Sequence, residues 1–131
     1  MIDILMTLQE NGFQTPNTKW IKVNGYYLPG RKYSAIKYNA ARRGIDFDVS
    51  RDYLDLLWIL QGGQCYYTGE ELDISSRSGA TASLDRVDSN LGYVRDNVVW
   101  VHSDVNFAKH VLSEDRFLDI IEKIYERKIK N

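Results

Sequence analysis

The chain contains one cysteine, Cys65, among 131 residues. An internal disulfide needs two and a cysteine-rich zinc site needs more, so both are excluded within one chain. Cys65 therefore reads as a buried, inert thiol. Excess charge of one sign is also missing: the formal net charge is −1. The molecule as a whole is not a basic polyanion binder, and any affinity for nucleic acid must come from local patches. No apolar run reaches the length of a membrane span, and the amino-terminal MIDILMTLQENG lacks the basic segment of a signal peptide. The expectation is a soluble, intracellular protein. Internal repeats and low-complexity tracts are absent too. What is present is enough for a core: 44% hydrophobic residues, with nine Tyr and three Trp, in the length of one ordinary domain.

The first thirty residues read as an extension. Ile2, Leu5 and Met6 suggest a short helix over Ile2–Glu10, closed at Asn11-Gly12. Asn24-Gly25 between β-forming residues predicts a small hairpin over Lys19–Leu28, either a substrate-contacting addition or a packing embellishment. The main domain, 31–131, forms one compact unit with this extension. It opens on a basic helix, Arg31–Arg43, closed by Gly44. Arg31, Lys32, Lys37, Arg42 and Arg43 are candidates for phosphate contact, against the alternative of a solvated helix face. Ile45–Val49 alternates. Ser50 then caps an amphipathic helix whose stripe Tyr53, Leu54, Leu57, Trp58 and Leu60 reads as core, ended by Gly62-Gly63. Cys65–Gly69 turns the chain, and Ser75–Thr81 is a polar loop. Ser113 caps a last helix with Phe117, Ile120, Ile121 and Ile124 as its buried face.

Between these lies SLDRVDSNLGYVRDNVVWVHSDVNFAK, residues 83–109. Ala82–Val87 can pair as a strand. Asp88, Ser89, Asn90, Gly92, Asp96 and Asn97 accept tight backbone geometry. Val98–Val101 is β-branched and aromatic, and helical spacing begins at Ser103. The order is strand, loop, strand, helix. Asp85 ends the first strand, and His102 and Asn106 are four apart, on one face of a helix starting near Ser103. Three metal-compatible side chains would converge where hairpin meets helix.

These residues resemble the core of the HNH, or ββα-metal (His-Me finger), nucleases. The phage-type pattern is S-L-D-R-[IV]-D-S-x-x-G-Y-x-x-x-N-V-x-W-V-H-x-x-[VI]-N-x-x-K. Ser83 through Ser89, Gly92, Tyr93, Asn97, Val98, Trp100, Val101, His102, Val105, Asn106 and Lys109 stand at its fixed positions. The upstream ARRGIDF (41–47) and QCYYTG (64–69) are similar as well. The resemblance implies an α+β fold: a ββα-metal core with flanking helices and the small amino-terminal hairpin. It implies a metal-dependent endonuclease that hydrolyses DNA phosphodiester bonds, in the cytoplasm of a bacterium or phage-infected cell. Asp85 would be the principal metal ligand, Asn106 the second and His102 a third, as in some relatives. Asn97 would brace the loop at the middle position of the motif, and Lys109 would meet a phosphate. One divalent ion is expected, Mg²⁺ first, with Mn²⁺ or another transition metal admitted by the imidazole, and no structural zinc.

One position departs from the best-known HNH enzymes. The residue after the metal-binding acid is the general base histidine there; here it is Arg86, which stays protonated and is a poor base. Three outcomes are open. The base is another group, His102 first and His110 second; or Arg86 clamps the scissile phosphate while water loses its proton to solvent; or the chain is a catalytically inactive DNA-binding module on the same scaffold. A protein-interaction domain using exposed tyrosines is the remaining class. Cutting both strands would take a homodimer or two successive events, because one chain carries one site.

Overall fold

The structure is a computed structural model and describes Met6, Leu8 and residues 20–130. Met6 and Leu8 are helical; the rest of the helix expected over Ile2–Glu10 lies outside the described residues. The fold is mixed α+β with small sheets. In chain order the elements are α1 (Gly30–Arg42), β1 (Phe47–Asp48), α2 (Arg51–Leu60), β2 (Ala82–Arg86), β3 (Tyr93–Val94), β4 (Val98–His102), α3 (Ser103–Lys109) and α4 (Glu114–Ile124). The last runs into a π-helical turn over Tyr125–Ile129.

The central element is the antiparallel pair β2–β4, with Ala82 opposite His102, Leu84 opposite Trp100 and Arg86 opposite Val98. Val98 to Val101 are wholly buried. A β-branched and aromatic strand with no exposed face must be covered on both sides. Helix α2 covers one side. Ser50 Oγ accepts from the Tyr53 amide at 3.0 Å, so the helix starts where the sequence placed its cap. Tyr53, Leu54, Leu57, Trp58 and Leu60 are buried as its spacing requires. Burying a leucine such as Leu54 or Leu57 contributes about 1.5–3 kcal/mol. Trp100 stacks edge-on to Trp58, and its indole donates to the Leu54 carbonyl at 3.0 Å. Gln61, also buried, donates to the Trp100 carbonyl and accepts from the Trp100 amide, both at 2.8 Å, which ties the end of α2 to β4.

The turn-rich segment between β2 and β4 is itself anchored. Tyr93 pairs in parallel with Phe47, and the Tyr93 amide donates to the Asp46 carbonyl at 2.8 Å. This brings Gly92 so close that a Cβ there would lie 2.6 Å from the Asp46 carbonyl oxygen. Only glycine fits.

Two expectations need correction. The Lys19–Leu28 hairpin reduces to one turn: Val23 and Tyr26 bridge around Asn24 and Gly25, both at positive φ, and no strand extends from them among the described residues. The physical reason is Asp55. Its buried carboxylate accepts from the Tyr27 and Leu28 amides at 2.9 and 2.8 Å, so these amides are committed to α2 rather than to a strand partner. The second concerns α4. Ser113 caps it as expected, accepting from the Arg116 amide, and Phe117 is buried against Tyr67. Ile120 is only half-buried, while Ile121 and Ile124 are exposed. Against the described residues the helix docks through its first turn, and its surface is exposed from Ile121 onward.

Candidate functional site

Two strand positions and one helix build the site. Alternation along β2 puts Ser83 and Asp85 on the face opposite Leu84. Helix α3 lies against that face, and the Asn106 carboxamide donates to Ser83 Oγ at 2.7 Å. A cleft of about 440 Å³ opens between them. Asp85, Arg86, Asn106 and His110 line it, with Arg43 and Phe107 at its walls. Strand β2 thus supplies a carboxylate and a guanidinium, α3 supplies a carboxamide, and His110, just past its end, supplies an imidazole. With its Nδ2 engaged by Ser83, Asn106 keeps its carbonyl oxygen free of hydrogen bonds among the described residues.

Asp85 is 4% exposed, and its Oδ2 accepts no hydrogen bond from the described residues. Its counter-charge is Lys109, with Nζ 3.4 Å from Oδ1 and 3.3 Å from Oδ2. The first is a long hydrogen bond and the second a purely ionic approach. The Lys109 ammonium is better aligned with the Arg86 carbonyl, to which it donates at 2.8 Å. Burial pushes the Asp85 carboxyl above the ordinary aspartate range, and the Lys109 charge offsets part of that rise. Glu114, in the first turn of α4, is also pushed up by burial and feels both charges. Lys109 itself has no exposed surface. It was expected at a phosphate; the structure turns it inward, because a buried carboxylate needs a cation more than the solvent does.

His102 also differs from expectation. It is the cap of α3 rather than a member of its ligand face: its Nδ1 accepts from the Asp104 amide at 3.0 Å. It pairs with Ala82, which places it on the opposite face of the sheet from Asp85, and it does not line the cleft. The histidine in the cleft is His110, just past the end of α3, held at a φ of 50° and a ψ of −122°. Such backbone is costly for a non-glycine residue and gathers at functional sites.

Asn97 is buried and braces the loop from within. Its Oδ1 accepts from the Asp88 amide at 2.9 Å, and its Nδ2 donates to the Asp88 and Gly92 carbonyls at 3.0 and 2.9 Å. Arg86 serves the same loop, donating to the Ser89 and Leu91 carbonyls at 2.8 and 3.1 Å, with its guanidinium over the Tyr93 ring. Both bonds leave from Nη1, so two of its five N–H donors are spent on the loop. Of the basic residues on α1, Arg31, Lys37, Arg42 and Arg43 are exposed. Lys32 is the exception: half-buried, it donates to the Ser75 carbonyl at 3.3 Å, and burial lowers its pKa. Arg43 alone of these reaches the cleft, where it donates to the Tyr93 hydroxyl at 3.4 Å.

Ser83 and Phe107 were missed as site residues. Ser83 could have been found from the alternation that puts it beside Asp85. Phe107 gave no signal, since a phenylalanine in a short helix is expected to be buried. Among the described residues no three His, Cys, Asp or Glu side chains gather around one point, and no helix is long and apolar enough to cross a membrane.

No family model matches the chain, and no solved structure matches it. Among curated proteins, an uncharacterized 29.0 kDa protein from the dda-modA intergenic region of Enterobacteria phage T4 is 32% identical over 93 residues, or 71% of this chain and 35% of that protein. The chain thus spans about a third of the length of the curated relative it matches.

Proposed function

We propose that this chain is a metal-dependent endonuclease of the HNH type, with a ββα-metal core over residues 82–109, hydrolysing DNA phosphodiester bonds. One observation carries the reading. Asp85 and Asn106, from separate pieces of backbone, line one cleft whose other polar members include Arg86, His110 and Arg43. The donor set is one carboxylate and one carboxamide, with the His110 imidazole beside them. That suits Mg²⁺, which takes few protein ligands and keeps waters, and it admits Mn²⁺. Asp85 Oδ2, which has the Lys109 ammonium at 3.3 Å but accepts no hydrogen bond from the described residues, is the acceptor such an ion would engage.

In this reading Asp85 and Asn106 hold the ion, which when bound supplies Lewis-acid activation of the phosphodiester. His110, in the cleft, replaces His102 as the first candidate for general base: it takes a proton from the attacking water. Arg43, exposed and adjacent, neutralises the phosphate. Arg86 and Asn97 keep the loop in shape around it. Water oxygen attacks phosphorus, the P–O3′ bond breaks, the departing O3′ takes a proton from solvent water, and the products carry 5′-phosphate and 3′-hydroxyl ends. Arg31, Lys37 and Arg42 supply an exposed basic track along α1 for the duplex backbone.

The test is nicking of supercoiled plasmid with Mg²⁺ or Mn²⁺. If wild type nicks no faster than Asp85→Ala, catalysis at this site is wrong. The ion pair between Lys109 and Asp85 favours a second reading, a DNA-binding module whose carboxylate is permanently neutralised. Metal-independent binding with no cleavage would select it.

A further inference from the structure

Lys109 has no exposed surface, yet it is a lysine at the last position of a seven-residue helix. Its flexible stem would reach solvent at little cost, and burying an ammonium is expensive unless it is paired. Its partners are the two Asp85 oxygens and the Arg86 carbonyl. Asp85 is also the acidic donor of the metal site proposed above. One carboxylate therefore faces two claims from cations. With Lys109 in place, the pair is neutral, and a divalent ion meets a site whose remaining donor, Asn106, carries no negative charge. We infer that Lys109 is a resident cation that holds Asp85 in the metal-free protein and sets a low affinity for the divalent ion. The inference rests on the metal-dependent reading of this cleft. Its consequence is that the ion is taken up strongly only when a second anion joins the site, and the phosphate of DNA is that anion. Metal and DNA then raise one another's affinity by the same factor.

The experiment is calorimetric titration of the full chain with Mn²⁺ alone, without DNA, in wild type, Lys109→Met and Asp85→Asn. Removing a like charge from contact range in a buried site tightens cation binding by about tenfold or more. Lys109→Met is expected to bind Mn²⁺ at least that much more tightly than wild type, and Asp85→Asn to lose binding. Should Lys109→Met unfold without metal, Mn²⁺ is expected to refold it, since the ion replaces the missing counter-charge; failure to refold it overturns the inference. A folded Lys109→Met that binds Mn²⁺ no more tightly than a wild type whose binding depends on Asp85 overturns the inference but leaves the metal site standing. No binding by either protein, or binding by wild type that survives Asp85→Asn, sinks the metal site and the inference together.

Discussion

Helices α2 and α3 cover opposite faces of the same β2–β4 pair, and they follow opposite rules. In α2 the apolar stripe is buried, a serine caps the start, and its buried carboxylate, Asp55, is satisfied by two amides. In α3 the one fully buried residue is a lysine, while Phe107 is 87% exposed. Its cap is an imidazole. A sequence that folds for stability alone would exchange the two positions. Where local preference and burial agree, the element is scaffold; where they conflict, the cost is tolerated for something else. The α3 side of the sheet is where Asp85, Asn106 and His110 meet in a cleft; on the α2 side, Trp58 and Trp100 fill the space.

Substitutions on the two sides should therefore separate activity from stability. The largest effect is expected at Asp85→Asn, which keeps the shape and removes the charge: plasmid nicking falls by about a thousandfold, or about 4 kcal/mol of barrier. Next is Leu57→Ala on α2. Leu57 is wholly buried, so urea unfolding should show a loss of about 2–5 kcal/mol, with nicking per folded molecule unchanged. A matching loss of nicking would blur the division between scaffold and site. His110→Ala should lower nicking by about a hundredfold, as expected for a missing general base. His102→Asn should keep the α3 cap and stay within about twofold of wild type. The reverse ranking would restore His102 as the base. Ser50→Ala should cost about 1 kcal/mol of stability, the ordinary value for a lost helix cap, without touching nicking.

The legible parts of this fold were those where one local rule suffices. Ser50 and Ser113 as caps, Gly44 and Gly62-Gly63 as terminators, and the α2 stripe all followed from short-range pattern. So did the strand, loop, strand, helix order of 82–109, except that the loop carries the two-residue strand β3 paired to β1. What escaped depended on partners far along the chain. Spacing could not reveal that Asp55 would take the Tyr27 and Leu28 amides, 28 and 27 residues away, and so leave the Asn24-Gly25 turn without strands. Nor could it reveal that Lys109 would turn inward to a carboxylate 24 residues earlier. His102 was misplaced for a subtler reason. A four-residue spacing to Asn106 puts both on one face only if both are inside the helix; His102 is the cap, with extended backbone. The helix starts at Ser103 as expected, so His102, one residue earlier, stands on extended backbone and outside the cleft, which His110 lines.

Phe107 gives the most direct test of the contrast between the helices. Phe107 exposes 87% of its surface at the wall of the cleft, so it contributes almost nothing to the core. Phe107→Ser should leave urea stability within about 0.5 kcal/mol of wild type, as for other surface positions. By the amphipathic rule that governs α2, the same substitution at a helical phenylalanine would cost several kcal/mol. Nicking is expected to fall severalfold, roughly 1 kcal/mol, because an apolar side chain beside the scissile position would contact the bases or sugars of a bound duplex. Unchanged stability with reduced nicking would make Phe107 part of the substrate surface. A stability loss above about 2 kcal/mol would mean that the side chain packs inward in solution, and the contrast between α2 and α3 would then rest on Lys109 alone.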